Sequence, residues 1–106
     1  MKKLSDIENL NDNWNGFGAS AFSSELINKS RAFLAQVISI SPVISIFPTA
    51  SNSIQIEWEK ENIYAEAEIF SDIVKIYSEK NNEEFINLSF DNINDSASQF
   101  MSLYNT

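Results

Sequence analysis

The chain has 106 residues, of which 43% are apolar and none is Cys or His, and its formal net charge is −8. This composition is typical of one folded domain spanning residues 1–106, and it excludes disulfides, thiolate chemistry and the usual zinc ligands. No apolar run approaches the roughly 18 residues of a membrane-spanning helix, and phosphate contacts need basic residues. We therefore expect a cytoplasmic protein that binds neither membranes nor nucleic acid directly.

Residues 5–11 are predicted to form a short first helix. Ser5 and Glu8 fit a capping box, in which the serine caps the helix and the glutamate bonds back to it. The apolar residues at helical spacing are Leu4, Ile7 and Leu10.

The next stretch, Asn13-Trp14-Asn15-Gly16-Phe17-Gly18-Ala19, contains both glycines of the chain. It matches neither helical nor strand periodicity, which predicts a compact loop in which the glycines supply the bends and both rings fold back into the core. The residues predicted to be structural are Asn13, Trp14, Gly16, Phe17 and Gly18. The alternative is a direct contact site. A phosphate cradle is disfavoured because no Lys follows the glycines and no strand precedes them.

A second helix is predicted to begin after Ser23, its N-cap, and to end near residue 39, ahead of Pro42. One face of this helix is apolar, which favours packing against the core over a groove for a partner. The residues on that face are Leu26, Ile27, Phe33, Leu34, Val37 and Ile38.

Beyond Pro42 the apolar period changes to two, which is typical of an antiparallel meander with one buried face. Residues 43–47, between two prolines, are predicted to form a short edge strand. The predicted inward residues of the other strands are Ile54, Ile56, Trp58, Ile63, Ala65, Ala67, Ile69, Val74, Ile76, Ile86, Leu88 and Phe90.

The register of this sheet is predicted by requiring apolar residues of neighbouring strands to face each other. The predicted pairs are Trp58–Ile63 and Ile56–Ala65 across a four-residue loop, Ile69–Val74, Ala67–Ile76 and Glu68–Lys75 across the turn Ser71-Asp72, and Ile76–Ile86 and Tyr77–Phe85 in the last hairpin.

A third helix is predicted after Asp91, with Asp91 as its N-cap. Its apolar positions are Ile93, Ala97, Phe100, Met101 and Tyr104. Ala65 and Ala67 on the sheet would let this helix approach closely. The predicted fold class is therefore α+β: a four- to five-stranded antiparallel β-meander with two N-terminal helices and one C-terminal helix packed on one face.

Four segments together carry a resemblance to a known pattern: residues 13–19, Ser23-Ser24-Glu25, Phe47-Pro48-Thr49 and Ile54-Gln55-Ile56-Glu57-Trp58-Glu59. They resemble a family of small bacterial and mobile-element proteins with the pattern N-W-D-G-Y-G-A, a helix, P-T, a glycine pair and I-x-L-E-W. The resemblance covers about residues 9–70 and implies a fold rather than a settled activity. Asn15 stands where that pattern has an acid, and residues 51–53 replace its glycine-containing turn.

The outer face of the sheet is the predicted binding site for a partner. Residues 57–106 contain eleven acidic residues and three lysines, whereas the first 56 residues are neutral overall. Aromatic rings among acids on a rigid surface suit a partner protein with a basic surface. The predicted contact residues are Glu57, Tyr64, Glu66, Glu68, Tyr77 and Phe85. Alternatively, a helix or a dimer mate covers these side chains, or they are scattered surface residues.

Catalysis is disfavoured because Ser and Thr have no His base and a flat sheet offers paired carboxylates no cleft. A metal site formed by Glu57, Glu66 and Glu68 is conceivable but matches no known cation loop. We therefore expect no enzyme activity, no metal and no cofactor. The favoured function is inhibition or neutralisation of a basic, nucleic-acid-handling protein, as an anti-CRISPR or an immunity or antitoxin protein does. The alternative is a homo-oligomeric structural or adaptor module, such as a homodimer, in which the open sheet face or an edge strand pairs with itself.

Overall fold

A five-stranded antiparallel sheet with three α-helices on one face forms the protein, as the alternation of apolar residues predicts. The computed structural model describes residues 4–105, apart from the side chain of Ser41. Strands adjacent in the sequence are adjacent in the sheet. The strands are β1 (Ser45–Pro48), β2 (Ile54–Lys60), β3 (Ile63–Ile69), β4 (Val74–Lys80) and β5 (Glu83–Phe90), and the helices are α1 (Leu4–Glu8), α2 (Ser24–Gln36) and α3 (Ile93–Tyr104). The α+β fold and the edge position of β1 are confirmed.

The beginnings and ends of the helices differ in part from those predicted. Ser5 lies inside α1, so it does not cap that helix. Ser23 does cap α2, because its hydroxyl accepts a hydrogen bond from the Leu26 N–H at 3.1 Å. For α3 the cap is Asn92 rather than Asp91, since the Asn92 side chain accepts from the Asp95 N–H at 2.8 Å. Asn and Asp are about equally good caps, so the sequence did not distinguish these neighbours.

The second helix ends at Gln36, three residues earlier than predicted, and a 3₁₀ helix, Ile38–Val43, follows it. Pro42 lies within this second segment. Because the chain changes direction after Val37, Ile38 leaves the apolar face of α2 and is 67% exposed. The prediction that Ile38 packs in the core is therefore wrong.

The core lies between the helices and the inner face of the sheet. Phe33 of α2 and Phe100 of α3 are fully buried, with ring centroids 5.4 Å apart. The Trp58 ring of β2 lies 6.2 Å from that of Phe100 and 5.1 Å from that of Tyr104. Ala65 and Ala67 are fully buried beneath this layer, and their small side chains let α3 contact β3.

The central hairpin has the predicted register, whereas the hairpin before it is shifted by two residues. Ile69 faces Val74 and Glu68 faces Lys75. In the β2–β3 hairpin the turn contains two residues, 61–62, so Trp58 faces Ala65 rather than Ile63. Glu61 has φ of 56°, a left-handed conformation that a Glu side chain seldom adopts, so nothing in its residue type indicated so tight a turn.

The β4–β5 hairpin is also shifted by two residues from the predicted register. Its turn is formed by Asn81 and Asn82, with φ of 56° and 67°, which is typical of a two-residue hairpin turn. Ile76 faces Leu88, and Tyr77 faces Asn87. Phe85 is the extra residue of a bulge, because Ser78 pairs with Ile86 while Glu79 pairs with Glu84.

Candidate functional site

The outer positions of β2, β3 and β4 form one surface, which we call the acidic face. Cross-strand pairing arranges its nine residues in three rows: Gln55, Glu68 and Lys75; Glu57, Glu66 and Tyr77; and Glu59, Tyr64 and Glu79. Five of the predicted contact residues therefore lie together on three adjacent strands. The sixth, Phe85, lies at the bulge of β5, and the shifted register sets Asn87 rather than Phe85 opposite Tyr77.

Two glutamates lie directly opposite each other at the centre of the acidic face. Glu57 faces Glu66 across β2 and β3, and like charges in this position destabilise a sheet. The hydroxyl of Tyr64 lies between them, 2.8 Å from Glu57 Oε2 and 3.1 Å from Glu66 Oε1. One hydroxyl donates one hydrogen at a time, so the two carboxylates share a single donor.

Other side chains hold the remaining carboxylates in place. Gln55 Nε2 donates to Glu57 at 3.0 Å, and the hydroxyl of Ser53 donates to Glu68 at 2.6 Å. The Tyr77 hydroxyl donates to Glu79 at 2.7 Å. Lys75 faces Glu68, but its Nζ lies 5.3 Å from the centroid of the Phe70 ring. The acidic face therefore has defined side-chain positions before any partner binds.

This arrangement raises the pKa of both tyrosines on the acidic face. Burial, followed by the hydrogen bond to Glu57 and the nearby charge of Glu66, raises the pKa of Tyr64. The hydrogen bond to Glu79 and partial burial raise the pKa of Tyr77 to about 12. Both hydroxyls therefore remain protonated at neutral pH and act as hydrogen-bond donors to carboxylates.

Burial raises the pKa of Glu66 above its ordinary value of 4.5, and the charges of Glu57, Glu68 and Glu79 raise it further, although the Tyr64 hydrogen bond opposes them. Above pH 4.5 the folded protein therefore holds the proton of Glu66 more tightly than the unfolded chain does. The contribution of Glu66 to stability accordingly falls as the pH rises from 4.5 through the raised pKa of Glu66 in the folded protein.

We expect Glu66→Gln to stabilise the fold at neutral pH, because it removes this charge while its amide oxygen can still accept from Tyr64. Solvent screening limits the gain to roughly 0.3–1 kcal/mol. Urea unfolding at about pH 7 and about pH 3 measures it, and the gain should vanish at the lower pH. A variant less stable than the native protein at neutral pH would contradict the assignment of Glu66 as an unfavourable charge.

A cleft of about 310 Å³ lies at one end of the acidic face, beside the β2–β3 and β4–β5 turns. Its lining contains three glutamates and no basic residue: Glu59, Glu61, Asn62, Ile63, Tyr64, Glu79, Asn81 and Asn82. Glu57, Glu66 and Glu68 do not line it, so they lie on the open surface of the sheet. Both turns beside the cleft belong to hairpins whose predicted register was wrong.

The loop formed by residues 13–19 is compact, but its aromatic rings do not enter the core. Phe17 is 92% exposed, so the prediction that it folds back is wrong. Trp14 packs at the margin of the core, with its ring 5.9 Å from that of Phe22 and its Nε1 donating to the Ser20 carbonyl at 3.0 Å. Hydrogen bonds, rather than buried rings, hold this loop together.

Asparagine side chains and glycine conformations explain the loop. Asn13 Oδ1 accepts from the Gly18 N–H at 2.7 Å, and Asn15 Oδ1 accepts from the N–H groups of Phe17 and Ala19 at 2.9 and 3.2 Å. A carboxylate at position 15 could accept the same two bonds. Gly16 and Gly18 have φ of 78° and 87°, and an added Cβ would meet no atom within 4 Å. Backbone conformation, not space, therefore requires glycine.

Comparisons with protein-family models, with curated proteins and with solved structures found no match for this chain. The resemblance carried by the 13–19 segment and the Ile54–Glu59 strand therefore stays a prediction. Among residues 4–105, no helix is long and apolar enough to cross a membrane. Within the same range, no three acidic side chains are arranged to hold a metal ion.

Proposed function

We propose that the protein is a non-catalytic binding protein whose acidic face occupies the basic, nucleic-acid-handling surface of another protein and so inhibits or neutralises it. A phage-borne inhibitor of a bacterial defence complex, such as an anti-CRISPR, and an immunity or antitoxin protein both act in this way. The observation that carries the proposal is the composition of the acidic face. Its nine positions hold five glutamates and one lysine, and the helices lie on the opposite face.

The arrangement of the charges supports binding as well as their number. Carboxylates already held by Tyr64, Tyr77 and Ser53 lose little side-chain freedom when a cation approaches. The unfavourable pair Glu57 and Glu66 gains most from a guanidinium or ammonium placed between them. A field of one sign also accelerates encounter with a basic partner.

An arginine-rich peptide is a suitable probe for this proposal, with binding measured by calorimetry at two salt concentrations. We expect Glu66→Gln/Glu68→Gln to weaken binding about tenfold or more, because two of the five carboxylates of the acidic face are lost. The control Glu25→Gln/Asp91→Asn raises the net charge of −8 by the same two units but alters exposed acids outside the acidic face, so it should bind like the native protein. Equal affinities of the two double variants, or no salt dependence, would contradict the proposal.

A further inference from the structure

The two edges of the sheet differ in their capacity to pair with another strand. Strand β1 has four residues and ends in Pro48, and the segment before it contains Pro42. Proline lacks the N–H that a neighbouring strand would need, so this edge is blocked. Strand β5 has eight residues, with neither Pro nor Lys, which are the usual devices that protect an edge. Only its bulge at Phe85 interrupts it, so the regular stretch is Ile86–Phe90.

The inner side of β5 also extends beyond the helices. Ala67 and Ile76, in the row that continues to Leu88, are fully buried on β3 and β4. Leu88 is 43% exposed, and its neighbours on the same side, Ile86 and Phe90, are only partly buried. The apolar surface of the sheet is therefore one strand wider than the helical layer that covers it.

We propose that β5 pairs antiparallel with β5 of a second copy of this chain, which joins the two sheets into one of ten strands. A two-fold axis at Leu88 sets Leu88 against its own counterpart and Ile86 against Phe90 of the other copy, all on the inner side. The outer pair is then Asn87 with Ser89. Within Ile86–Phe90, every apolar residue meets an apolar residue, and every polar residue meets a polar one.

Charge favours a second copy over a basic segment at this edge. Phe85–Phe90 contains no ionisable residue, so a basic strand would find no opposite charge along it. The nearest acids, Glu84 and Asp91, flank the paired stretch, and in this register neither meets another acid: Asn92 of the other copy faces Glu84, and its Phe85 faces Asp91. The net charge of −8 on each copy still opposes association at long range, and salt screens this repulsion.

This pairing is independent of the acidic face, and salt affects the two in opposite ways. Added salt should promote the dimer, whereas it should weaken binding of a basic partner. Sedimentation equilibrium over a roughly hundredfold range of protein concentration, at low and high salt, measures the association. A chain that remains monomeric throughout would overturn the proposal, even if the acidic face binds the arginine-rich peptide.

Leu88→Lys tests the edge itself, because it places two ammonium groups together at the two-fold axis. We expect at least a tenfold loss of association, while the half-exposed site keeps the fold intact by circular dichroism. Ile38→Lys is the matched control, since it makes the same change at an apolar residue that is 67% exposed and lies outside β5. It should dimerise like the native protein, and equal dimerisation of the two variants would exclude the β5 edge.

Hydrogen exchange provides a second readout that does not depend on a variant. Every second amide of Ile86–Phe90, those whose N–H points away from β4, should exchange more slowly as the protein concentration rises, because these free N–H groups gain partners. Concentration-independent exchange of these amides would exclude pairing through β5. If Leu88→Lys lost binding of the arginine-rich peptide while Ile38→Lys kept it, the β5 edge would be a site for a basic segment instead. That result would overturn the proposal.

Discussion

Phe100→Ala is expected to lower the free energy of unfolding by about 4 kcal/mol, whereas Phe17→Ala should change it by less than about 0.5 kcal/mol. Phe100 is fully buried, and its ring contacts those of Phe33 and Trp58. Truncation leaves a cavity between α3 and the sheet that neighbouring aromatic side chains cannot fill without leaving their own contacts. Phe17 is 92% exposed, so its truncation removes almost no buried surface.

Urea unfolding followed by tryptophan fluorescence measures both variants, because Trp58 lies 6.2 Å from the Phe100 ring. Small domains have free energies of unfolding of about 5–15 kcal/mol, so the Phe100 variant should lose much of its stability. It should unfold at a far lower urea concentration than the native protein. A loss of several kcal/mol in Phe17→Ala would mean that Phe17 packs against the protein after all. It would then contradict the exposed conformation of the loop.

The fold was predictable because two apolar periods dominate the chain. Residues that alternate with period two, such as Ile54, Ile56 and Trp58, are buried as expected. Register was predictable only where an ordinary turn and the apolar pattern agreed, at Ser71-Asp72. Turns that depend on left-handed conformations of Glu61 and Asn81 were not, because those residues do not demand such a conformation as glycine often does.

The composition of the candidate site was predictable, but its internal contacts were not. Alternation alone placed Glu57, Tyr64 and Glu66 on the outer side of the sheet. The predicted register would have paired Glu57 with Tyr64, whereas a shift of two residues keeps the same face and pairs Glu57 with Glu66. Glu57 and Glu66 therefore face each other around the Tyr64 hydroxyl because of the tight turn at Glu61. The apolar pattern does not predict that turn.

Likewise, apolar character did not distinguish buried from exposed residues at the edges of the core. Phe17 and Leu88 are as apolar as the core residues, yet the first lies on a hydrogen-bonded loop and the second lies beyond the helical layer. Loop conformation and the width of that layer depend on tertiary packing rather than on local periodicity. At both residues, as at Ile38, the sequence misjudged burial and the surface offers apolar contact.

Tyr64→Phe is expected to lower the free energy of unfolding by about 1–2 kcal/mol at pH 7, because hydrogen bonds to charged groups are stronger than neutral ones. The lower part of the usual range applies because the Tyr64 side chain is only partly buried. Glu57 keeps the bond from Gln55 at 3.0 Å, so Glu66 loses most. The hydrogen bond from Tyr64 lowers the pKa of Glu66, and its removal should raise that pKa further.

Phe keeps the ring, so the pH dependence separates a hydrogen bond to a charged carboxylate from any effect of the hydroxyl that does not depend on that charge. A bond that favours the ionised carboxylate stabilises the fold above the carboxylate pKa and ceases to do so as the pH falls through it. The cost of Tyr64→Phe should therefore shrink at about pH 3, and an NMR titration should show the raised pKa of Glu66. Tyr77→Phe is the control, because Tyr77 donates to the single acceptor Glu79 and should cost less. An equal loss at both pH values would show that the Tyr64 hydroxyl stabilises the sheet independently of the carboxylate charges, and would contradict its role in organising the acidic face.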